Sequence, residues 1–182
     1  MINIYKPELT LLQQQILRLL FTKTGVMLNQ NQIAKALKVS PPAVMKAIPN
    51  LEKSNLVKIE QDKESKRWAI ELNRDNQRTI RLKRADNLSL IYESGLYDFI
   101  EKELAGSTII LFGSYSKGED TIASDIDLAV IGRKEKKLDL EKYEQMLSRK
   151  INVNFYDSFG KIHKHLKENL FKGIVLLGGV EL

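Results

Sequence analysis

Two aspartates separated by a single residue, Asp125 and Asp127, are the side chains whose type and spacing point most directly to chemistry. They open the run DIDLAVIG, whose apolar part is typical of a buried strand. Side chains alternate along a strand, so both carboxylates share one face and repel each other. A divalent cation relieves that repulsion, and Mg²⁺ suits the role because it takes oxygen ligands and bridges to substrate phosphates. We therefore predict that Asp125 and Asp127 bind Mg²⁺ and form a catalytic pair.

A glycine–serine turn that suits a phosphate lies upstream of the aspartates. Gly113 and Ser114 follow the apolar stretch TIILF, and ten residues separate Ser114 from Asp125. A phosphate can approach Gly113 closely because glycine has no side chain. Ser114 begins a short helical turn, where free amides and its hydroxyl can bind a phosphate oxygen. Lys117 adds a positive charge and Ser124 directly precedes the aspartates, so we predict that these four residues bind nucleotide. The alternative is a glycine turn and an Asp-rich strand end without chemistry.

The complete string GSYSKGEDTIASDIDL resembles the motif of the minimal nucleotidyltransferases, bacterial and archaeal members of the DNA polymerase beta-like superfamily. That motif has Gly-Ser, ten residues and Asp-x-Asp. The resemblance implies that Mg²⁺ supports transfer of a nucleoside monophosphate from an NTP, usually ATP, to a hydroxyl of a protein or RNA acceptor. Bacterial and archaeal members often act as antitoxins that modify a helical toxin, so such a toxin is a candidate partner. The positions that match are Gly113, Ser114, Gly118, Ser124, Asp125, Ile126, Asp127 and Leu128, and Lys117 stands where many relatives have arginine.

The resemblance also implies a third carboxylate on the next strand, and here the sequence departs from the family pattern. That strand is predicted at INVNFY, where Asn152 and Asn154 would point away from the core. Asparagine has an oxygen but no charge, so it binds Mg²⁺ less well and cannot serve as a base. Asp157 has the wrong parity for this role unless the strand bulges. We expect nucleotide binding by two carboxylates and weakened catalysis, with Asp157 as the first alternative for a third acid.

The elements that must position this site alternate between helices and strands, which predicts an α/β domain over residues 96–182. Residues 74–95 are predicted to form a linker helix. Residues 1–73 show three helices and then two strands around the turn DKESK, which resembles a winged helix. We thus expect an α+β fold, in which an N-terminal winged helix-turn-helix precedes a small α/β nucleotidyltransferase domain with a mixed sheet.

The winged-helix pattern carries candidate DNA contacts. Ser40 is predicted to cap the third helix, Pro42 and Lys46 to lie in the major groove, and the wing to contact phosphates. The alternative is a fold that mediates protein contacts only, with solvated lysines. The predicted DNA-binding residues are Ser40, Pro42, Lys46, Lys63, Lys66 and Arg67.

The composition narrows the function classes. The chain has 182 residues, no cysteine and a formal net charge of +6, which suits polyanionic partners and excludes thiolate chemistry and disulfides. No apolar run is long enough to span a bilayer, and the N-terminal MINIYKPELT lacks the layout of a signal peptide, so we expect a cytoplasmic protein without a membrane partner. The basic stretch 74–84 is interpreted either as a solvated face or as a phosphate-contacting strip.

Three functions remain open at this point. The favoured hypothesis is a nucleotidyltransferase that modifies a protein or RNA, with the winged helix binding DNA or a partner. The second is a DNA-binding transcriptional regulator with a catalytically weakened nucleotide-binding domain. The third is an antitoxin that binds its toxin without chemistry. The sequence also admits a homodimer.

Overall fold

The computed structural model describes residues 8–61 and 67–179. The chain divides into two compact units, Met1–Thr79 and Ile80–Leu182. Both the α+β class and the predicted order, a winged helix followed by a small domain with a mixed sheet, are confirmed. None of the helices within the described ranges is long and apolar enough to cross a membrane.

The first unit is built from three capped helices and an antiparallel strand pair. Thr10 and Asn29 each form a capping box at the start of a helix, and Ser40 caps the third. These caps satisfy backbone amides that a helix leaves without a partner. Lys38, in the left-handed conformation, ends the second helix and turns the chain toward the third. The elements are α1 (Leu11–Thr22), α2 (Gln30–Leu37), α3 (Pro41–Lys53), β1 (Val57–Gln61) and β2 (Trp68–Leu72).

A proline inside α3 does not shorten that helix. Proline in a helix interior removes a backbone hydrogen bond and usually kinks or ends the helix, yet α3 runs from Pro41 to Lys53. Pro49 is exposed, whereas its neighbour Ile48 is fully buried. The proline ring therefore lies on the solvent side of α3, away from the core.

The second unit places a four-stranded sheet between helices. The strand order is β5-β4-β3-β6, in which β4 and β5 are parallel and the other pairs are antiparallel. Residues of β3 and β4 alternate between two apolar clusters, one on each face of the sheet. Its elements are α4 (Gln77–Glu93), α5 (Leu96–Glu103), β3 (Thr108–Phe112), α6 (Gly113–Lys117), β4 (Ile126–Ile131), α7 (Glu141–Leu147), β5 (Ile151–Tyr156), α8 (Lys164–Phe171) and β6 (Ile174–Leu177).

Helix α4 is more than a connection. Sequence reasoning assigned residues 74–95 to a linker helix, and the residues of α4 from Ile80 onward belong to the second compact unit. Lys83, Asn87 and Ile91 are buried at intervals of four, so one face of α4 packs into that unit. Two of those three buried residues are polar, and they bear on the site described below.

Candidate nucleotide and metal site

Three polar side chains, which we call the aspartate site, meet where β4 and β5 begin. Asp127 is the second residue of β4 and pairs in register with Asn152 of the parallel strand β5. The Asn152 amide nitrogen donates to Asp125 Oδ2 at 3.1 Å and to Asp127 Oδ1 at 3.2 Å. Asp125 lies one residue before β4, so the expectation that both aspartates are within the strand is corrected. Both carboxylates still reach the same Asn152 amide, although Asp125 lies outside the strand.

The structure brings Asn152, and not Asn154, to the two aspartates. Asn154 pairs with Ala129, two positions farther along β4. Asp157 follows the opposite end of β5 and pairs with Lys161 at 2.9 Å, which lowers the pKa of the Asp157 carboxyl. Asp157 is the fifth residue after Asn152, which corresponds to roughly 16 Å at the usual rise of a strand. Asp157 is therefore not a member of the aspartate site.

Gly113 lies directly against the aspartate site. Its φ angle is +76°, and a Cβ atom there would stand 2.5 Å from Asp127 Oδ2. Any other residue would meet both backbone strain and a clash with the carboxylate. Sequence reasoning attributed this glycine to phosphate approach. In the structure, a Cβ at this position would lie closest to the Asp127 side chain. The fold itself therefore requires glycine here, with or without a bound phosphate.

The other predicted nucleotide-binding residues occupy different positions around the site. Ser114 is half-buried in the first turn of α6, and Lys117 is half-exposed at the last residue of the same helix. Ser124 closes the turn before Asp125, since its hydroxyl accepts from the Thr121 amide at 2.9 Å. The Ser124 hydroxyl thus supports the loop that carries the first aspartate.

The donor set of the aspartate site fits Mg²⁺ bound together with a nucleotide. Within the described part of the chain, no three His, Cys, Asp or Glu side chains form a group that could hold a metal ion. Mg²⁺ in nucleotide sites is commonly held by one or two carboxylates, with phosphates and water completing its shell. Asp125 is exposed and Asp127 is half-buried, so both carboxylates are open to a ligand. The Asn152 side chain can add a neutral oxygen if its amide rotates.

A cleft of 480 Å³ opens beside Asp125. Helix α7 and the turn into β5 form one wall, and the loop before β4 forms the other. Most of its lining residues have polar or charged side chains, and both signs of charge are present. The lining residues are Ile122, Ala123, Ser124, Asp125, Glu141, Glu144, Gln145, Ser148, Arg149 and Lys150.

Sequence reasoning missed a second polar group in this unit, which we call the buried ion cluster: Lys83, Asn87, Asp120 and Arg149. Lys83 and Asp120 form an ion pair with both side chains fully buried, and burial lowers the pKa of Lys83 while Asp120 opposes that change. Arg149 also faces Asp120, at 3.5 Å. The available signal was the spacing of Lys83, Asn87 and Ile91, which places the first two on the apolar stripe of α4.

The predicted DNA-contacting residues of α3 lie on its open side. Ser40 caps the helix by accepting from the Ala43 amide at 3.4 Å. Pro42 and Lys46 are exposed, and Arg67 is exposed just before β2. Lys63 and Lys66 lie outside the described residues.

Comparisons with known proteins agree with this division of the chain. Residues 94–177 match the family model of the nucleotidyltransferase domain. Residues 9–68 match the model of the MarR family. A comparison with curated proteins found no match.

Solved structures similar to this chain include three regulators. The MepR–DNA complex of S. aureus is 24% identical, covers 54% of this chain and 80% of its own, and has a TM-score of 0.39. A Lactococcus lactis ZitR mutant is 21% identical, with coverages of 58% and 68% and a TM-score of 0.42. The adhesin competence repressor AdcR of Streptococcus pyogenes is 24% identical, with coverages of 54% and 69% and a TM-score of 0.41. At these scores the likenesses carry no conclusion about function. By these two family models, the chain joins a segment that matches the MarR family to a segment that matches the nucleotidyltransferase domain.

Proposed function

We propose that the second unit binds an NTP, ATP in the first instance, with Mg²⁺ and transfers the nucleoside monophosphate to a hydroxyl of a protein or RNA. The observation that carries this proposal is the convergence of the Asp125 and Asp127 carboxylates on the Asn152 amide, at 3.1 and 3.2 Å. Two carboxylates held together without a cation between them form an anionic centre that a divalent ion would neutralise.

The residues around this centre have distinct roles in the proposal. Asp125 and Asp127 would hold Mg²⁺, which when bound neutralises phosphate charge and polarises the phosphoryl group. Gly113 places no Cβ against Asp127 Oδ2, and the half-buried Ser114 hydroxyl would donate to a phosphate oxygen. Lys117 adds positive charge, and Ser124 holds the loop before Asp125 in place.

Asn152 makes the transfer slow in this account. Its amide donates to both aspartates and so holds their carboxylates together. A neutral amide cannot take the proton of the acceptor hydroxyl, a task for which a carboxylate is suited. The 480 Å³ cleft beside Asp125 provides room for the acceptor next to the reacting phosphate.

The test is incubation of the full chain with α-³²P-ATP and Mg²⁺, alone, with RNA, and with the protein encoded next to its gene. We expect label on one acceptor, slowly, and none with the Asp125→Ala/Asp127→Ala variant. Label transfer that is equal in wild type and double variant would remove the proposal. A helical toxin as the labelled acceptor would support an antitoxin role.

The exposed face of α3 favours a second activity, binding of duplex DNA by the winged helix, which we propose comprises residues 1–73. Pro42 and Lys46 project from α3 on the side opposite its fully buried residues Val44 and Ile48. Helices of this kind read the major groove, and dimers place two of them on one duplex. Gel shifts of the full chain on genomic DNA fragments at low salt, with size-exclusion chromatography, test both points. A folded protein that binds no duplex under these conditions would leave protein contact as the role.

A further inference from the structure

The buried ion cluster is concentrated on a single carboxylate. Lys83 is 0% exposed, Asp120 1% and Arg149 6%, so none of these charges is solvated by bulk water. Asp120 Oδ1 accepts from the Lys83 ammonium and, at 2.7 Å, from the Asn87 amide. Asp120 Oδ2 faces Arg149 Nη2 at 3.5 Å. Both carboxylate oxygens are therefore engaged, and two cations surround one anion.

Asp120 and its partner Arg149 belong to the two segments that carry the aspartate site, whereas Lys83 and Asn87 both belong to α4. Asp120 itself precedes Asp125 by five residues, on the loop that leads into β4. Arg149 precedes Asn152 by three residues, in the turn before β5. The backbone of these two segments also meets directly, since the Ile126 amide donates to the Lys150 carbonyl at 2.8 Å.

The third segment, α6, is tied to the same cluster through α4. The Asn87 amide donates to the Tyr115 carbonyl at 2.9 Å as well as to Asp120. Tyr115 directly follows Ser114. At the end of α6, a Cβ on Gly118 would stand 2.5 Å from the Ile80 carbonyl, so α4 and α6 are in close backbone contact. The loop carries Asp120, the turn carries its partner Arg149, and α6 is joined to Asp120 through Asn87.

Burial of these charges calls for an explanation other than stability. Removing charges from water is costly, and apolar residues of similar size often stabilise a protein as well or better than a buried ion pair does. Directional contacts of one carboxylate with two cations and an amide instead fix the relative positions of the elements that carry them. This is the property that a metal site assembled from two separate segments needs.

We propose that Asp120, held by Lys83 and Arg149, is a positioning residue that sets the geometry of Asp125, Asp127 and Asn152. The effect on metal binding rests on the proposed function, whereas the effect on the side-chain geometry of the aspartate site does not. Asp120 touches neither the proposed metal nor the nucleotide and acts through the segments it joins.

The experiment follows the Asn152 side-chain amide by ¹H–¹⁵N NMR in the full chain, with its resonances assigned by their loss in Asn152→Asp. The test variants are Asp120→Asn and Lys83→Met/Asp120→Asn. The double variant restores the net charge of the cluster, keeps the core filled and guards against a single variant that fails to fold. The control is Leu104→Ala, which deletes buried atoms at the end of α5 next to Ser107, at the far end of the sheet.

We expect the Asn152 amide resonances to move in both Asp120 variants and to stay in place in Leu104→Ala. Mn²⁺ affinity in the presence of ATP should fall about tenfold or more in the Asp120 variants, as for outer-shell partners of metal ligands. Asn152 resonances at their wild-type positions in either Asp120 variant, the charge-restored double variant included, would overturn the proposal. Absence of Mn²⁺–ATP binding by wild type would instead remove the proposed function, while the NMR result would still decide the positioning role.

Discussion

The aspartate site and the buried ion cluster are both built on carboxylates, but the two places surround these groups with opposite environments. In the first, Asp125 is exposed, Asp127 is half-buried, and both accept from the neutral amide of Asn152. In the second, Asp120 is buried and has two cations and an amide around it. A carboxylate that is to receive a ligand is left short of positive charge, and one that is to hold the fold is saturated with it. The difference separates a candidate for binding from a candidate for positioning.

The largest expected effect that sharpens this comparison is on stability. Asp120→Asn removes the carboxylate that the buried Lys83 and Arg149 share, so the free energy of unfolding should fall by about 3–5 kcal/mol. Asp125→Asn, the matched change at the aspartate site, should leave it unchanged or slightly higher, because one of two repelling charges disappears. Urea denaturation of both variants measures the contrast. Equal losses of stability would erase the distinction between the two clusters.

The two carboxylates of the aspartate site could be predicted from the sequence, whereas the buried ion cluster was not predicted. Asp125, Asp127, Gly113 and Ser114 lie within one short string whose spacing has chemical meaning without knowledge of the fold. The choice between Asn152 and Asn154 was not available, because it depends on the parallel register of β4 and β5. Strand periodicity fixes which face a residue occupies, but not the residue opposite it.

For a similar reason, local sequence patterns do not predict which side chains pair with each other in the buried ion cluster. Lys83 and Asp120 are 37 residues apart, and Asp120 and Arg149 are 29 apart. Charged residues are usually exposed, so each of them alone would be assigned to the surface. The fold class and the helix cap at Ser40 followed from local patterns that tertiary contacts reinforce.

The second prediction tests whether the aspartate site is short of a base. Asn152→Asp should raise the rate of labelled AMP transfer by about tenfold to a hundredfold or more, since a positioned general base contributes about that much. Asn154→Asp introduces the same charge two residues away, where it pairs with Ala129, and should not raise the rate. An equal gain in both variants would indicate that charge alone matters, and no gain in either would show that the amide is not the deficit.

The proposed contact of α3 with DNA can be distinguished from a general effect of positive charge. Lys46→Ala should weaken duplex binding and lower the slope of log affinity against log salt by about 1, as expected for one lost phosphate contact. Lys102→Ala, an equal change of charge on the exposed side of α5, should leave both unchanged. Fluorescence anisotropy at several salt concentrations gives both quantities. Equal effects of the two substitutions would reduce DNA binding to net charge.

The smallest expected effect concerns the wall of the cleft. The Ile151 amide, which donates to Glu144 at 3.0 Å, and then Lys150 lower the pKa of the Glu144 carboxyl below its ordinary 4.5. A lowered folded-state pKa contributes stability that is present above 4.5 and lost as the pH falls through the folded value. The Tm difference between wild type and Glu144→Gln should therefore shrink on acidification. Glu141→Gln controls for loss of a surface carboxylate on the same helix, and a difference that grows toward low pH would contradict the assignment.

The central claim, that Asp125 and Asp127 together hold a divalent cation with a nucleotide, is tested most directly by Mn²⁺ titration in the presence of a non-hydrolysable ATP analogue, followed by electron paramagnetic resonance. A charge pair at 4 Å is worth about 4 kcal/mol at an effective dielectric constant of 20, so Asp125→Ala/Asp127→Ala should lose at least about a hundredfold in affinity. Glu135→Ala/Asp139→Ala removes the same charge from exposed positions and should bind as wild type does. Wild-type affinity in the Asp125→Ala/Asp127→Ala variant would contradict the account.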